Sequence, residues 1–495
     1  MRRAITGVTP LRRVPSRDPQ IISAQSPRAV QRANPFPACL ALIGIIVPSQ
    51  VQVLIAGAKF TAGRIGVILL LIPALVALCR RGRHAVASDF FACATGAWMI
   101  AAAVRTGGWD SLPSAGAEVL ELIGGYFIAR GFFFGPAALD TFIRVLRVFA
   151  VVAIFLAMAD TVSHRWIVQD TVAAIVDVSP PGPVYRENLV RATSTFDHPI
   201  LFGIFCSLVA AMSLYSKLDM LPRILLVGLC FIGCILSLSS VAWMSLSIVM
   251  AVYTYDQLMR QNAWRWYPVW IGIAALLSAL FLISSHPIGW LISHLTLDPE
   301  SGYFRLLIWD AALIRINQFP LTGFGFNLFN HEILDTTIDS VWLVCSLRFG
   351  LPMIVFLILT NVAAFWPTRQ RFKNPAEDSY MDKLRRAFTL VLVMFMFSGL
   401  TVHFWNFMWI FWGLCIGIRA SLREQSSEAT GRSTPRIRLS STQIVGDGIG
   451  QDMRPRKHVY RCGVAHCSTN ETNSMAAPPG GFDRPNHADE TRRHG

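Results

Sequence analysis

The chain has 495 residues, of which 53% are hydrophobic and only 15% charged, with a net charge of +14 at pH 7 and a mean hydropathy of +0.47. A soluble chain usually carries charge on about a quarter of its residues, so a water-soluble enzyme, a disordered chain and a small disulfide scaffold are all poor readings. What remains is an all-α polytopic membrane protein, because the bilayer core offers backbone groups no outside partner.

A spanning helix needs roughly 20 mostly apolar residues to cross a core about 30 Å thick. Twelve segments meet that pattern, some of them short: 38–57, 62–79, 88–104, 116–134, 144–163, 199–215, 222–238, 240–256, 267–285, 338–366, 387–400 and 403–419. The tight pairs 222–256 and 387–419 turn within a few residues, and one long helix in place of either would flip every side downstream. Residues 1–37 read as a basic arm, and 38–420 as a membrane domain whose first span is retained rather than cleaved as a signal. Residues 421–495 are rich in Arg, Ser, Gly and Pro, lack hydrophobic periodicity and read as a disordered tail.

Lys and Arg set the orientation. One side collects the seven arginines of the arm, Arg80, Arg81 and Arg83 after the second span, and a basic loop at 367–386. Arg144, Arg147, Lys217, Arg223, Arg260 and Arg265 join them. The other side has only Lys59, Arg64, Arg105, Arg165, Arg186, Arg191, Arg305 and Arg315. The first side is therefore expected to be cytoplasmic, with both termini on it. Most of the positive charge is then topological and argues for no nucleic-acid partner; a basic tail at most attracts lipid headgroups. Cys462 and Cys467 lie near His458 and His466, but their spacing matches no common zinc pattern. The other eight cysteines fall in or at spans, where Cys packs as a small apolar residue.

Two loops on the sparsely charged side are long, about 164–198 and 286–337, and long loops are often functional. The first ends Arg191-Ala192-Thr193-Ser194-Thr195-Phe196-Asp197-His198-Pro199 and runs straight into a span. The second carries Arg305-Leu306-Leu307-Ile308-Trp309 and then Pro320-Leu321-Thr322-Gly323-Phe324-Gly325. It enters the next span through Asp339-Ser340-Val341-Trp342-Leu343, which continues to Phe349-Gly350-Leu351-Pro352.

In their order and spacing at membrane boundaries, these segments resemble the O-antigen ligase and polysaccharide polymerase superfamily. The His-Pro-Ile-Leu-Phe-Gly form at 198–203 looks closest to its exopolysaccharide polymerase branch. The resemblance covers about residues 36–420 in layout, though its motifs occupy only 191–203, 237–243 and 305–352. It implies transfer of a glycan from undecaprenyl pyrophosphate at the periplasmic face of the bacterial inner membrane, without metal or cofactor. Its implied partners are membrane lipids, a lipid-glycan flippase and a chain-length regulator. Arg191 and Arg305 then become clamps for the donor pyrophosphate, since a guanidinium binds phosphate oxygens through a rigid fork. Snorkelling to lipid phosphate is the simpler alternative.

The acceptor hydroxyl needs a base. In the ligases a His leads the segment matching 339–343. Here the position is Asp339, with His198 and His331 as other candidates. Ser239-Ser240 stands where many relatives have Ser-Arg. Arg348 lies inside the tenth span, where relatives often show an acid; pairing with Glu118 or Glu121 is preferred, because a buried charge must find a partner, over joining the lipid-phosphate site. Arg64 faces either phosphate or an anchoring role. Trp405, Trp409 and Trp412 have helical spacing and read as interfacial anchoring and packing rather than sugar stacking. The glycines at 323 and 325 read as permitting a tight turn. There is no Asp-x-Asp and no Gly-x-x-x-x-Gly-Lys-Ser/Thr loop. A polymerase is preferred to a ligase, on Asp339 and the 198–203 segment. A secondary transporter or flippase is the competing class, and it would show matched halves and broken helices near the midplane.

Overall fold

The computed structural model describes residues 33–55, 58–80, 82–262, 264–283, 299–329, 331–366 and 380–432. The basic arm up to residue 32, most of the 367–386 loop, and the tail with its Cys/His cluster lie outside these residues. The protein is predominantly helical. Among the described residues two helices, Ala87–Gly107 and Pro136–Ser163, are long and apolar enough to cross a membrane by length and composition.

The first expected span is not one helix. It divides into α1 (Phe36–Ala41), a 3-10 turn (Ile43–Ile45) and a hairpin of β1 (Gln52–Ile55) with β2 (Ala58–Thr61). Pro48 supplies no backbone N–H, and the β-branched run after it favours extended chain. Next come α2 (Ala62–Leu78), α3 (Ala87–Gly107), α4 (Leu112–Val119), a π-turn at Leu120–Gly124, α5 (Gly125–Phe132), α6 (Pro136–Ser163) and α7 (Ile167–Val176). The hairpin β3 (Tyr185–Arg186) with β4 (Leu189–Val190) precedes α8 (Pro199–Leu214). The first tight pair is two helices, α9 (Met220–Leu236) and α10 (Ser240–Leu258), turned at Leu238 with φ 44°. After α11 (Trp266–Ile283) come α12 (Pro299–Ile316), α13 (Glu332–Thr336), α14 (Val341–Phe349), α15 (Leu351–Phe365), α16 (Tyr380–Ser398) and α17 (Phe407–Arg432).

The expected span 338–366 is therefore broken in two, at Gly350. Its φ of 78° lies outside the helical region, and a Cβ there would meet the Leu321 carbonyl at 2.0 Å. A helix break orphans carbonyls that must be satisfied elsewhere. The Pro-x-x-Gly-x-Gly segment does this: Phe324 N donates to Leu347 O (2.6 Å) and Gly325 N to Arg348 O (3.0 Å). Leu351 N donates back to Pro320 O at 2.8 Å. The two glycines adopt φ 67°, as the tight-turn reading requires, and what the turn grips is the broken helix.

At the centre lies α8, with nearly every residue buried, as befits a helix apolar all round. Trp412 of α17 is fully buried, stacked on Phe395 and edge-on to Trp342. Around this core, α2, α9 and α11 turn large apolar side chains outward, among them Leu69, Ile72, Leu221, Ile271 and Leu276. The last helix runs past residue 420, where the apolar run stops. Its added turns carry Glu424 into a buried cluster with Arg83 (3.0 Å) and Arg130 (2.5 Å), and Arg130 also binds Asp89 (2.8 Å). Hydrophobicity alone located the end of this helix too early because charged residues complete it.

Candidate functional site

The site forms at the end of the bundle opposite the Glu424 cluster, where α2, α8, α14 and α17 begin and α6 and α9 end. Its organiser is Asp160, in the last turn of α6. This carboxylate accepts from the backbone N–H of Ile167 (3.0 Å), Ser194 (2.8 Å) and Thr193 (3.3 Å). It thereby starts α7 and fastens the turn after Arg191, in which Ser194 takes φ 56°. Gln169 Nε2 donates to Phe196 O and Trp166 Nε1 to Arg191 O, completing the hold on that turn.

Held this way, Arg191 lies over the turn between α9 and α10. Its Nε donates to Ser237 O (3.1 Å), and Arg186 Nη1 donates to the adjacent Leu238 O (3.1 Å). Cations at a helix C-terminus complement its dipole, so part of each arginine's role is to cap α9. The remaining nitrogens of Arg191 have no protein partner among the described residues. Burial, followed by the charges of Arg186 and Arg305, lowers the Arg191 pKa to about 10. It remains a cation at neutral pH, within electrostatic reach of Arg305.

Arg305 reaches the site on α12. Its neighbours Ile308 and Trp309 pack with Leu334, Leu343 and Leu347 in a small separate core that joins α12 to α13 and α14. This presents Arg305 Nε at 3.9 Å from Asp339 Oδ2. Asp339 precedes the α14 N-cap Ser340, whose Oγ accepts from Leu343 N and donates to Gly399 O. Thr337 Oγ1 donates to the other Asp339 oxygen (3.1 Å), and the side chain is 43% exposed. Such a carboxylate is reachable by a ligand.

His198 caps α8, its Nδ1 accepting from Ile200 N at 3.2 Å. Burial, then the Arg191 charge, lowers its pKa to about 4, so the ring is neutral at physiological pH. A neutral ring whose Nδ1 accepts a hydrogen bond carries its proton on Nε2. His198 therefore keeps an N–H on Nε2 while its Nδ1 serves the helix cap. His331 is engaged in the same way, capping α13 through Ile333 N (3.3 Å). Both histidines thus spend Nδ1 on a helix cap, whereas the Asp339 side chain is 43% exposed.

The two internal arginines find acids. Arg348 Nη1 donates to Glu118 Oε1 (2.6 Å), and Arg64 Nε to Glu121 Oε1 (2.8 Å) while also reaching Lys59 O. Glu118 lies in α4 and Glu121 in the π-turn that follows it. Asp197 bonds Ser49 Oγ and Asn406 Nδ2 (the latter at 3.0 Å), tying the first motif to the turn before α17. Arg186, Asp160, Asp197 and His403 were not singled out from the sequence. Asp160 had one available signal, a carboxylate inside an apolar span, which is functional by default. Among the described residues no group of three or more His, Cys, Asp or Glu side chains is arranged to hold a metal ion.

No protein-family model matches the chain, and no curated protein matches it.

Proposed function

We propose that the protein is a membrane glycosyltransferase that polymerises oligosaccharide repeat units carried on undecaprenyl pyrophosphate, building exopolysaccharide or O-antigen at the periplasmic face. The observation that carries this reading is the convergence of Arg191, Arg305, His198 and Asp339, which come from three separate sequence motifs. Two cations sense each other's charge, one of them beside a reachable carboxylate. Two guanidiniums and a single carboxylate leave net positive charge, which an anionic lipid pyrophosphate would complement.

In this reading the acceptor hydroxyl oxygen attacks the anomeric carbon of the donor sugar. The new C–O bond forms as the bond to the pyrophosphate oxygen breaks. Asp339 takes the hydroxyl proton, and the electron pair leaves on the lipid pyrophosphate, where Arg191 and Arg305 meet the developing charge. His198 donates from Nε2. Asp339→Asn removes basicity and nearly preserves size, so single-turnover transfer by the purified protein should fall at least about a hundredfold, with lipid-linked single repeat units accumulating in cells. Near-normal turnover would remove Asp339 from this role.

The membrane arrangement belongs to the same proposal. The outward apolar faces of α2, α9 and α11 suit lipid contact, and the cytoplasmic side is the one rich in Lys and Arg. The polymer-building site then lies outside, where few basic residues occur. A reporter fused after Arg369 should report cytoplasm, and one between 299 and 335 should report periplasm. A cytoplasmic signal from the second would overturn both map and site. The polymerase reading is favoured over a ligase by Asp339 in place of His and by the 198–203 segment. Against a transporter stands the lack of matched halves in the sequence.

A further inference from the structure

Beside the four residues above is a cleft of about 340 Å³ that the mechanism leaves unused. Residues 325–329 and 334–338 form one wall, Val344 and Arg348 of α14 the floor, and His403 with Trp405 the far wall. Its chemistry is mixed. Phe326 (37% exposed) and Trp405 (39% exposed) present aromatic rings, whereas Trp409 and Trp412 are buried. Trp405 precedes α17, so the helical spacing that joined it to the other two does not apply. Arg348, Asn327 and Thr336 add hydrogen-bonding groups, and His403 Nδ1 is buried with no hydrogen-bond partner among the described residues. Aromatic rings next to uncompensated polar groups suit a ligand with apolar C–H faces and a hydroxyl rim.

We infer that this cleft binds the acceptor saccharide, Trp405 and Phe326 stacking against a sugar ring and His403, Arg348 and Asn327 bonding its hydroxyls. The inference rests on the polymerase reading and adds to it the site of the second substrate. The placement is chemically apt. The Trp405 ring lies 5.8 Å from the His198 ring on the donor side and 5.2 Å from the His403 ring on the cleft side. A sugar seated on Trp405 is therefore next to the groups assigned to the donor. Arg348 is held in place by Glu118, and its guanidinium lies 5.3 Å from the Phe326 ring centre, so ring and cation are oriented before a ligand arrives.

The test compares a strain lacking the protein with strains carrying wild type, Trp405→Ala, Trp405→Phe and His403→Ala at matched membrane levels. It is paired with tryptophan-fluorescence titration of the purified full chain, using oligosaccharide fragments cut from the host's own polymer. Trp405→Ala and His403→Ala should each weaken fragment binding about tenfold and shorten the polymer, while Trp405→Phe stays within about threefold of wild type. Where Trp405 is absent, displacement of a labelled fragment provides the readout. If the null strain loses polymer but both alanine variants bind and polymerise normally, the cleft assignment is overturned and the polymerase reading stands. If the null strain makes polymer unchanged, the polymerase reading fails and takes the acceptor assignment with it.

Discussion

Polymer output is expected to drop about tenfold to a hundredfold when either Arg191 or Arg305 becomes Lys, and to vanish in the double variant. Lysine keeps the charge but loses the planar fork that grips two phosphate oxygens at once. The leaving pyrophosphate gains charge as the glycosidic bond breaks, so the loss falls on the transfer step as well as on donor binding. Arg191 also bonds Ser237 O, so each variant must first be shown to reach wild-type membrane levels. Arg165→Lys, at an exposed residue of the same loop, serves as the control and should make full polymer. Full polymer from both single variants would return Arg191 and Arg305 to anchoring and helix capping.

The largest effect on stability is expected at the other end of the molecule. Arg130 is completely buried and holds Glu424 at 2.5 Å and Asp89 at 2.8 Å, while Arg83 closes the ring onto Glu424. Removing one partner of a buried pair leaves an uncompensated charge, at a cost of about 3–5 kcal/mol. Glu424→Ala should therefore lower the thermal midpoint of the detergent-solubilised protein sharply and reduce its accumulation. The double variant Glu424→Met with Arg83→Met should recover part of that loss, since Asp89 still compensates Arg130. Truncation gives an independent reading. A chain ending after Arg432 should accumulate normally, whereas one ending after Ala420 should not, because it lacks Leu422 and Glu424, both buried. Equal accumulation of the two truncated chains would show that the ion cluster contributes little.

Helices could be located from the sequence because their signal is local. Runs such as 199–215 and 240–256 contain too many apolar residues for any other element, and short polar turns separate them. The candidate arginines were legible for a related reason: basic residues are scarce in the two long loops, so each one stands out. Proline and glycine were present where the two expected helices failed, at Pro48 and at Gly350-Leu351-Pro352. A sum of hydrophobicity passes over them because they change backbone geometry without changing polarity.

What the sequence determined by itself was the helical class, the segments that pair into tight turns, and the two loops that hold the candidate site. Tertiary structure decided which of Glu118 and Glu121 receives Arg348, since both lie on the same stretch and only packing sets Arg348 against Glu118 and Arg64 against Glu121. It assigned His198 and His331 to helix capping, a role fixed by which ring nitrogen meets a backbone N–H. It brought Arg305 to Asp339 through a small apolar core, and it separated Trp405 from the buried tryptophans that follow it. Each of these depends on contacts between residues distant along the chain, where periodicity carries no information and only packing sets the distance.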